Sequence, residues 1–192
     1  MNRLLLSILI LTTVLLIACQ EETRSPLEVR LYNADQDAVG TANFKEQQDK
    51  VTVQVKVEGL EEGFHGIHIH EYAKCEGPDF QTAGNHLNPE GNEHGLMHPK
   101  GTHLGDMPNL EIKADGTADV ELELPGATLT DGKNSLLRED GTSIIIHEKQ
   151  DDGISQPGGD AGARIICGVI SLDKTENEQE PTDPTETNKK EE

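Results

Sequence analysis

VTVQVKVE (Val51–Glu58) alternates apolar and polar residues along its whole length. Successive side chains of a β-strand point to opposite faces, so a period of two describes a strand with one face in a core and the other in water. ADVELEL (Ala118–Leu124) has the same period. Working outward, LEVRLYN, AVGTANFKE, FHGIHIHEY, LEIKA, SIIIHE and RIICGVIS bring the strand candidates to eight. Turn formers separate them: Glu-Gly at 58–59, Asp-Gly at 115–116, Pro-Gly at 125–126 and Asp-Gly at 131–132 and 140–141. After the first 18 residues no stretch has a helical period. With 3% aromatic residues and no Trp, the core must be built from Val, Ile and Leu. The pattern predicts an all-β domain, an antiparallel sandwich or barrel.

The ends of the chain read differently. Met1-Asn2-Arg3 precedes an apolar run from Leu4 to Ile17, followed closely by the charged QEETRS. A basic start and an apolar run ending at small residues form an export signal, and the run is short for a permanent membrane span. Leu16-Ile17-Ala18-Cys19 resembles the lipobox of bacterial lipoproteins. That resemblance implies cleavage before Cys19 and lipidation of its thiol; an ordinary signal peptide with a chance Cys is the alternative. The expected organisation is a signal peptide at 1–18, a lipid-anchored linker at 19–26, a folded domain at 27–172 and a disordered acidic tail at 173–192. The expected location is outside the cytoplasm, tethered by lipid to a bacterial membrane. With Cys19 set aside, Cys75 and Cys167 are an even pair in an oxidising compartment, either bridged or two buried thiols. Between residues 19 and 172 stand 28 acidic and 12 basic residues, a formal −16 within the chain's −20. Such a surface argues against nucleic acid or an anionic lipid face as partner.

Two connections are too long for hairpins: about Tyr72 to Pro108, and about Lys149 to Ala163. The first is dense in His, Gly, Asn and Pro, a composition that points to function rather than slack. Seven of the eight histidines lie between 65 and 103, and the eighth is His147. On a strand His68 and His70 share a face, while His65 has the opposite parity, as a hydrogen-bonded framework residue would. His86, His94, His103 and Asp106 form H-x7-H-x8-H-x2-D. Three imidazoles and a carboxylate can close a tetrahedral zinc site. His147 ends an apolar run that a β-fold could bring beside His68 and His70, and nitrogen-rich sites of that kind suit Cu(II).

Five separated segments, GFHGIHIHEY, AGNHLNP, HLGDMPN, IIIHEKQDDG and GDAGARIICGVI, together resemble the copper–zinc superoxide dismutase family. They stand in the family's order and span roughly residues 27–172. The resemblance implies an eight-stranded antiparallel Greek-key β-sandwich or barrel with two long functional loops. It implies copper ligands His68, His70, His86 and His147, and zinc ligands His86, His94, His103 and Asp106, with His86 shared. It makes Asp151 the outer carboxylate linking ligands of the two metals, Arg164 the group that attracts the anionic substrate, and Cys75–Cys167 the intrachain disulfide. His98 matches none of these roles and is expected to be a solvent-facing loop residue. Gly158 stands where many relatives carry Thr at the mouth of the channel, and the steering lysine of some eukaryotic members has no counterpart.

The implied activity is dismutation of superoxide to O2 and hydrogen peroxide by alternate reduction and reoxidation of one copper per subunit. Zinc, also one per subunit, has no redox chemistry and would order the loop. His86 and Arg164 are the residues expected to take part. The rival reading is a non-catalytic copper- and zinc-binding lipoprotein that buffers or delivers metal. A zinc-only structural protein leaves His68, His70 and His147 unexplained. Either a monomer or a homodimer fits the resemblance.

Overall fold

The structure is a computed structural model, described here for residues 26–172. The expected signal peptide, Cys19, most of the expected linker and the acidic tail lie outside the described residues. Nine strands follow in order: β1 (Leu27–Asn33), β2 (Ala38–Gln47), β3 (Lys50–Val57), β4 (Gly63–His65), β5 (Ile67–His70), β6 (Leu110–Ile112), β7 (Ala118–Pro125), β8 (Thr142–His147) and β9 (Arg164–Ile170). All eight predicted stretches form strands; the ninth arises because FHGIHIHEY breaks at Gly66. The cause is crowding. A Cβ on Gly66 would stand 2.9 Å from the Ala161 Cβ and 3.3 Å from the Asp151 Cβ. Its N–H donates to the Lys149 carbonyl and its carbonyl accepts from the His147 N–H, both at 2.8 Å.

Seven strands form one antiparallel sheet in the order β5-β8-β9-β1-β2-β3-β7, and β4 pairs with β6. β4 leads straight into β5 through Gly66, and β6 leads into β7 through the 113–117 turn, where the Lys113 N–H donates to the Thr117 carbonyl at 3.0 Å. The short pair therefore joins the two outer strands of the curled sheet. This is the barrel that the sequence predicted.

The β2–β3–β7 side follows its alternating pattern. Val51, Val53, Val55 and Val57 are buried with Ala42, Phe44, Leu122 and Leu124. On the solvent face, Lys56 pairs with Asp119 at 3.2 Å and Lys50 with Glu123. These exposed ion pairs add little stability, whereas full burial of each apolar side chain contributes about 1.5–3 kcal/mol. β8 does not alternate: all six of its residues are buried. Ile144 and Ile146 enter the main core, while Ile145 faces outward into a second cluster with Phe80, Ala83 and Cys167. That cluster seats the start of the first long loop.

The two long connections are present, and a third was not anticipated. Residues 126–141 carry Leu129, Leu136 and Leu137 into the core, held by Leu136 N–H donating to the Thr128 carbonyl at 2.9 Å. Its Pro-Gly and Asp-Gly pairs read as separate tight turns, which concealed one longer connection.

Candidate metal centre

The first long loop covers the free edge of β5. Ile69 N–H donates to the Gly105 carbonyl at 2.9 Å, and the Ile69 carbonyl accepts from Leu87 N–H at 2.8 Å. Gly105 permits this approach, since a Cβ there would lie 2.3 Å from the Ile69 oxygen. The register sets Asp106 opposite His68 and His86 opposite His70. On the other edge, β8 pairs with β5 through Ile67–Ile146 and His68–Ile145. A register shift between Ile146 and His147 brings His147 opposite Arg164. Four chain segments thus converge on the outer face of the barrel.

The result is two four-residue clusters: His68, His70, His86 and His147, and His86, His94, His103 and Asp106. All are buried, and within each cluster the potential ligand atoms lie within 4.8 Å of one another. His86 belongs to both. Its ring centroid is 4.0 Å from that of His68, 4.9 Å from His70 and 5.5 Å from His103. Rings of His68 and His147 are 4.9 Å apart.

One oxygen of Asp106 organises the second cluster. Oδ1 lies 2.9 Å from His86 Nδ1, 3.1 Å from His94 Nδ1 and 3.4 Å from His103 Nδ1. Oδ2 is held from behind by the N–H groups of Gly95 and His103 and by the Thr102 hydroxyl. With His86 Nδ1 engaged there, Nε2 is left for the first cluster. Asp151 links the two: its Oδ2 is 2.8 Å from His68 Nε2 and its Oδ1 is 3.1 Å from His94 Nε2.

The orphaned atoms show what the clusters lack. His68 Nδ1, His70 Nε2, His147 Nε2 and His103 Nδ1 are buried without hydrogen-bond partners. The opposite nitrogens of the first three are engaged, His68 with Asp151, His70 with the Gly84 carbonyl and His147 with the Gly162 carbonyl. Each ring is fixed by one nitrogen and presents the other inward. A buried polar atom without a partner costs about 1–3 kcal/mol, and a coordinated cation would relieve several such costs at once. The donor sets match: four imidazoles suit copper, and three imidazoles with a carboxylate suit zinc.

Protonation without metal points the same way. Burial, with the neighbouring histidines, holds His86 down at about 4 and His147 at about 3. Burial also holds His70 well below its usual value. Near neutral pH these three imidazoles carry the lone pair that a metal needs. For His94, burial opposes the charged form, but Asp106 and Asp151 outweigh it and raise the group to about 9. Burial likewise opposes ionisation of Asp106 and Asp151, yet their imidazole and backbone donors hold both well below the usual carboxylate range. Two anions therefore flank a position that calls for a cation.

Arg164 is half-buried. It donates from Nη1 to the Phe80 carbonyl and from Nη2 to the Gly84 carbonyl, both at 2.7 Å. Gly84 also receives the His70 ring, so one carbonyl orients a cluster ligand and the arginine. The loop carrying both acceptors is tied to β9 by the Cys75–Cys167 disulfide, with Cα atoms 5.7 Å apart. Gly158 stands over the shared ring: a Cβ there would be 3.2 Å from His86 Nε2. Its lack of a side chain leaves that nitrogen open. His65 is a framework residue, bonded to the His147 and Glu61 carbonyls at 2.8 and 3.0 Å. His98 belongs to neither cluster. It is half-buried rather than fully solvent-facing, and its Nδ1 accepts the Lys100 N–H within its own loop. Asp152 is exposed.

Two amide side chains escaped the sequence reading. Asn109 donates to the Asp151 carbonyl at 2.9 Å and accepts the Asp151 N–H at 2.8 Å. Gln156 makes a similar pair of bonds with the main chain of His94. Asn109 lies at the end of HLGDMPN and was within reach; no sequence signal marks Gln156.

A barrel bearing two four-ligand clusters with one histidine in common defines a dinuclear metalloprotein. The profile of the copper/zinc superoxide dismutase family matches residues 38–170. A superoxide dismutase-like protein of Bacillus subtilis is 43% identical over 145 residues, covering 74% of each chain. A copper–zinc superoxide dismutase of Aquifex aeolicus is 39% identical over 160 residues, covering 82% of this chain and 94% of its own. The crystal structure of a SOD-like protein from B. subtilis superposes with a TM-score of 0.73 at 42% identity, covering 74% of this chain and 97% of the other. The chain belongs to the copper/zinc superoxide dismutase family.

Proposed function

We propose that this protein dismutates superoxide to O2 and hydrogen peroxide outside the cytoplasm. In this reading His68, His70, His86 and His147 would hold copper, while His86, His94, His103 and Asp106 would hold zinc. Copper, when bound, supplies the one-electron couple and zinc a fixed charge. The observation that carries the reading is the convergence of three buried, partnerless ring nitrogens on the ring shared with the second cluster.

The protein's own groups have separable tasks. Arg164, with two of its five donors spent on carbonyls, is held as a fixed positive charge that attracts the anion. His86 Nε2, open beneath Gly158, is the atom suited to taking up a proton and passing it on. Asp151 holds His68 and His94 at fixed tilts, so the two clusters keep one geometry. The net charge of −20 does not defeat attraction of an anion. Two dications less one imidazolate and the Asp106 carboxylate leave about +2 in a low-dielectric site, where nearby charge dominates. The disulfide and the export signal support an oxidising compartment, and Cys19 supports a lipid anchor to the bacterial membrane.

The second reading, a metal buffer or carrier, draws on Gly158 and on the "superoxide dismutase-like" naming of the B. subtilis relative. One experiment separates them: metal content and superoxide decay for wild type and His147→Ala. The enzyme reading expects bound copper and zinc in wild type, with a decay rate at least about 100-fold above the variant. Equal rates with metal bound would establish the buffer.

A further inference from the structure

We propose that Gln156 is a positioning residue for the zinc cluster, a role that rests on the metal assignment above. Its Oε1 accepts the His94 N–H at 2.8 Å and its Nε2 donates to the His94 carbonyl at 3.0 Å. Nε2 also donates to the Ile154 carbonyl at 3.0 Å, which fixes the carboxamide plane within its own loop. The side chain thus does for His94 what a neighbouring strand does in a sheet: it satisfies both main-chain groups of one residue. His94 needs this because it sits in a loop with no strand beside it, and two groups pull on opposite sides of its ring. Nδ1 faces Asp106 at 3.1 Å and Nε2 faces Asp151 at 3.1 Å. If the main chain slides, both contacts are lost together.

The surrounding seam shows that the position is built. Gly95, next to His94, approaches the second long loop so closely that a Cβ would lie 2.1 Å from the Gly153 oxygen. Met97 N–H donates to that same oxygen at 3.2 Å. On the far side, Gly159 leaves room for Asp151 and for His94 Nε2, which a Cβ would approach to 2.8 Å. Asn109 holds Asp151 by a matching pair of main-chain bonds. The His94–Asp151 contact is therefore clamped at both ends, by Gln156 and by Asn109. The bonds of Gln156 go to the main chain of His94 and of Ile154 and not to a ligating atom, so its effect on the cluster runs through His94.

The test uses the full chain loaded with zinc, and separately with Co(II) in its place, as wild type, Gln156→Leu and Gln156→Glu. Leucine removes the three bonds at similar size. Glutamate keeps the acceptor for the His94 N–H but loses both donated bonds. Release of zinc to a chelator is expected to be about tenfold faster in Gln156→Leu and intermediate in Gln156→Glu, with the visible Co(II) spectrum shifted in the same order. A wild-type release rate and Co(II) spectrum in Gln156→Leu would overturn the inference while leaving the metal assignment intact. So would a fall in melting temperature that is the same with and without zinc and comes with wild-type release. A wild-type protein that takes up no zinc would overturn the metal assignment, and this inference with it.

Discussion

The β2–β3–β7 side and the β5–β8–β9 side of this barrel are held together by different physics. On the first, each strand pairs along its length, Gly40–Gln47 with Lys50–Val57 and Lys50–Val57 with Ala118–Pro125, without a shift in register. Its order comes from alternating Val and Leu packed inward and ion pairs left in water. On the second, β5 contributes only four residues, the register slips at His147, and the outer face is lined with imidazoles. There the order comes from a disulfide, from carbonyls that orient polar rings, and from a pair of anions awaiting cations. The metal-ligating residues all lie on or beside the second side.

This contrast can be broken in three places. Replacing Cys75 and Cys167 by Ser should cost the most, about 4–5 kcal/mol in the chain-entropy model for a loop of 92 residues. Denaturant unfolding would measure it, and the loss should be accompanied by faster exchange of amides in the 75–84 loop that holds Arg164. Equal exchange in that loop would show that packing of Phe80 and Ala83 suffices without the bridge. Leu124→Ala, in the fully buried row of β7, should cost about 3 kcal/mol. It should leave copper and zinc stoichiometry unchanged, and metal loss in that variant would mean that the two sides are not separable. Arg164→Ala, which loses the bonds to the Phe80 and Gly84 carbonyls, should cost about 1–3 kcal/mol and lower the superoxide decay rate about tenfold. The wild-type rate should fall with added salt and the variant's rate should respond less. A wild-type rate that rises with salt would indicate that overall negative charge governs encounter.

The same contrast explains what was legible in the sequence. The regular side was readable because period-two alternation in VTVQVKVE and ADVELEL is the direct imprint of one buried face. SIIIHE and FHGIHIHEY were readable as strands but not in detail. β8 is covered on both faces, so its apolar run carries no phase, and the break at Gly66 follows from contacts with Ala161 and Asp151 that lie far along the chain. All the cluster residues except His94 could be named because spaced motifs carry them; His94 came from the H-x7-H-x8-H-x2-D spacing, and His68 and His70 could be placed on one face by parity. What the sequence withheld is what depends on loop path. Gln156 reaches His94 across 62 positions, and Asn109 reaches Asp151 across 42. The 126–141 connection hid behind three tight-turn signals.

The central claim is that one ring, His86, lies between two different ions. Crystals of the metal-loaded protein, measured with anomalous scattering at the copper and zinc absorption edges, test it most directly. The account predicts a copper peak within coordination distance of His68 Nδ1 and of Nε2 of His70, His86 and His147, and a zinc peak on the opposite side of the same imidazole, against Asp106. A single peak, or two peaks of which His86 touches only one, would contradict it.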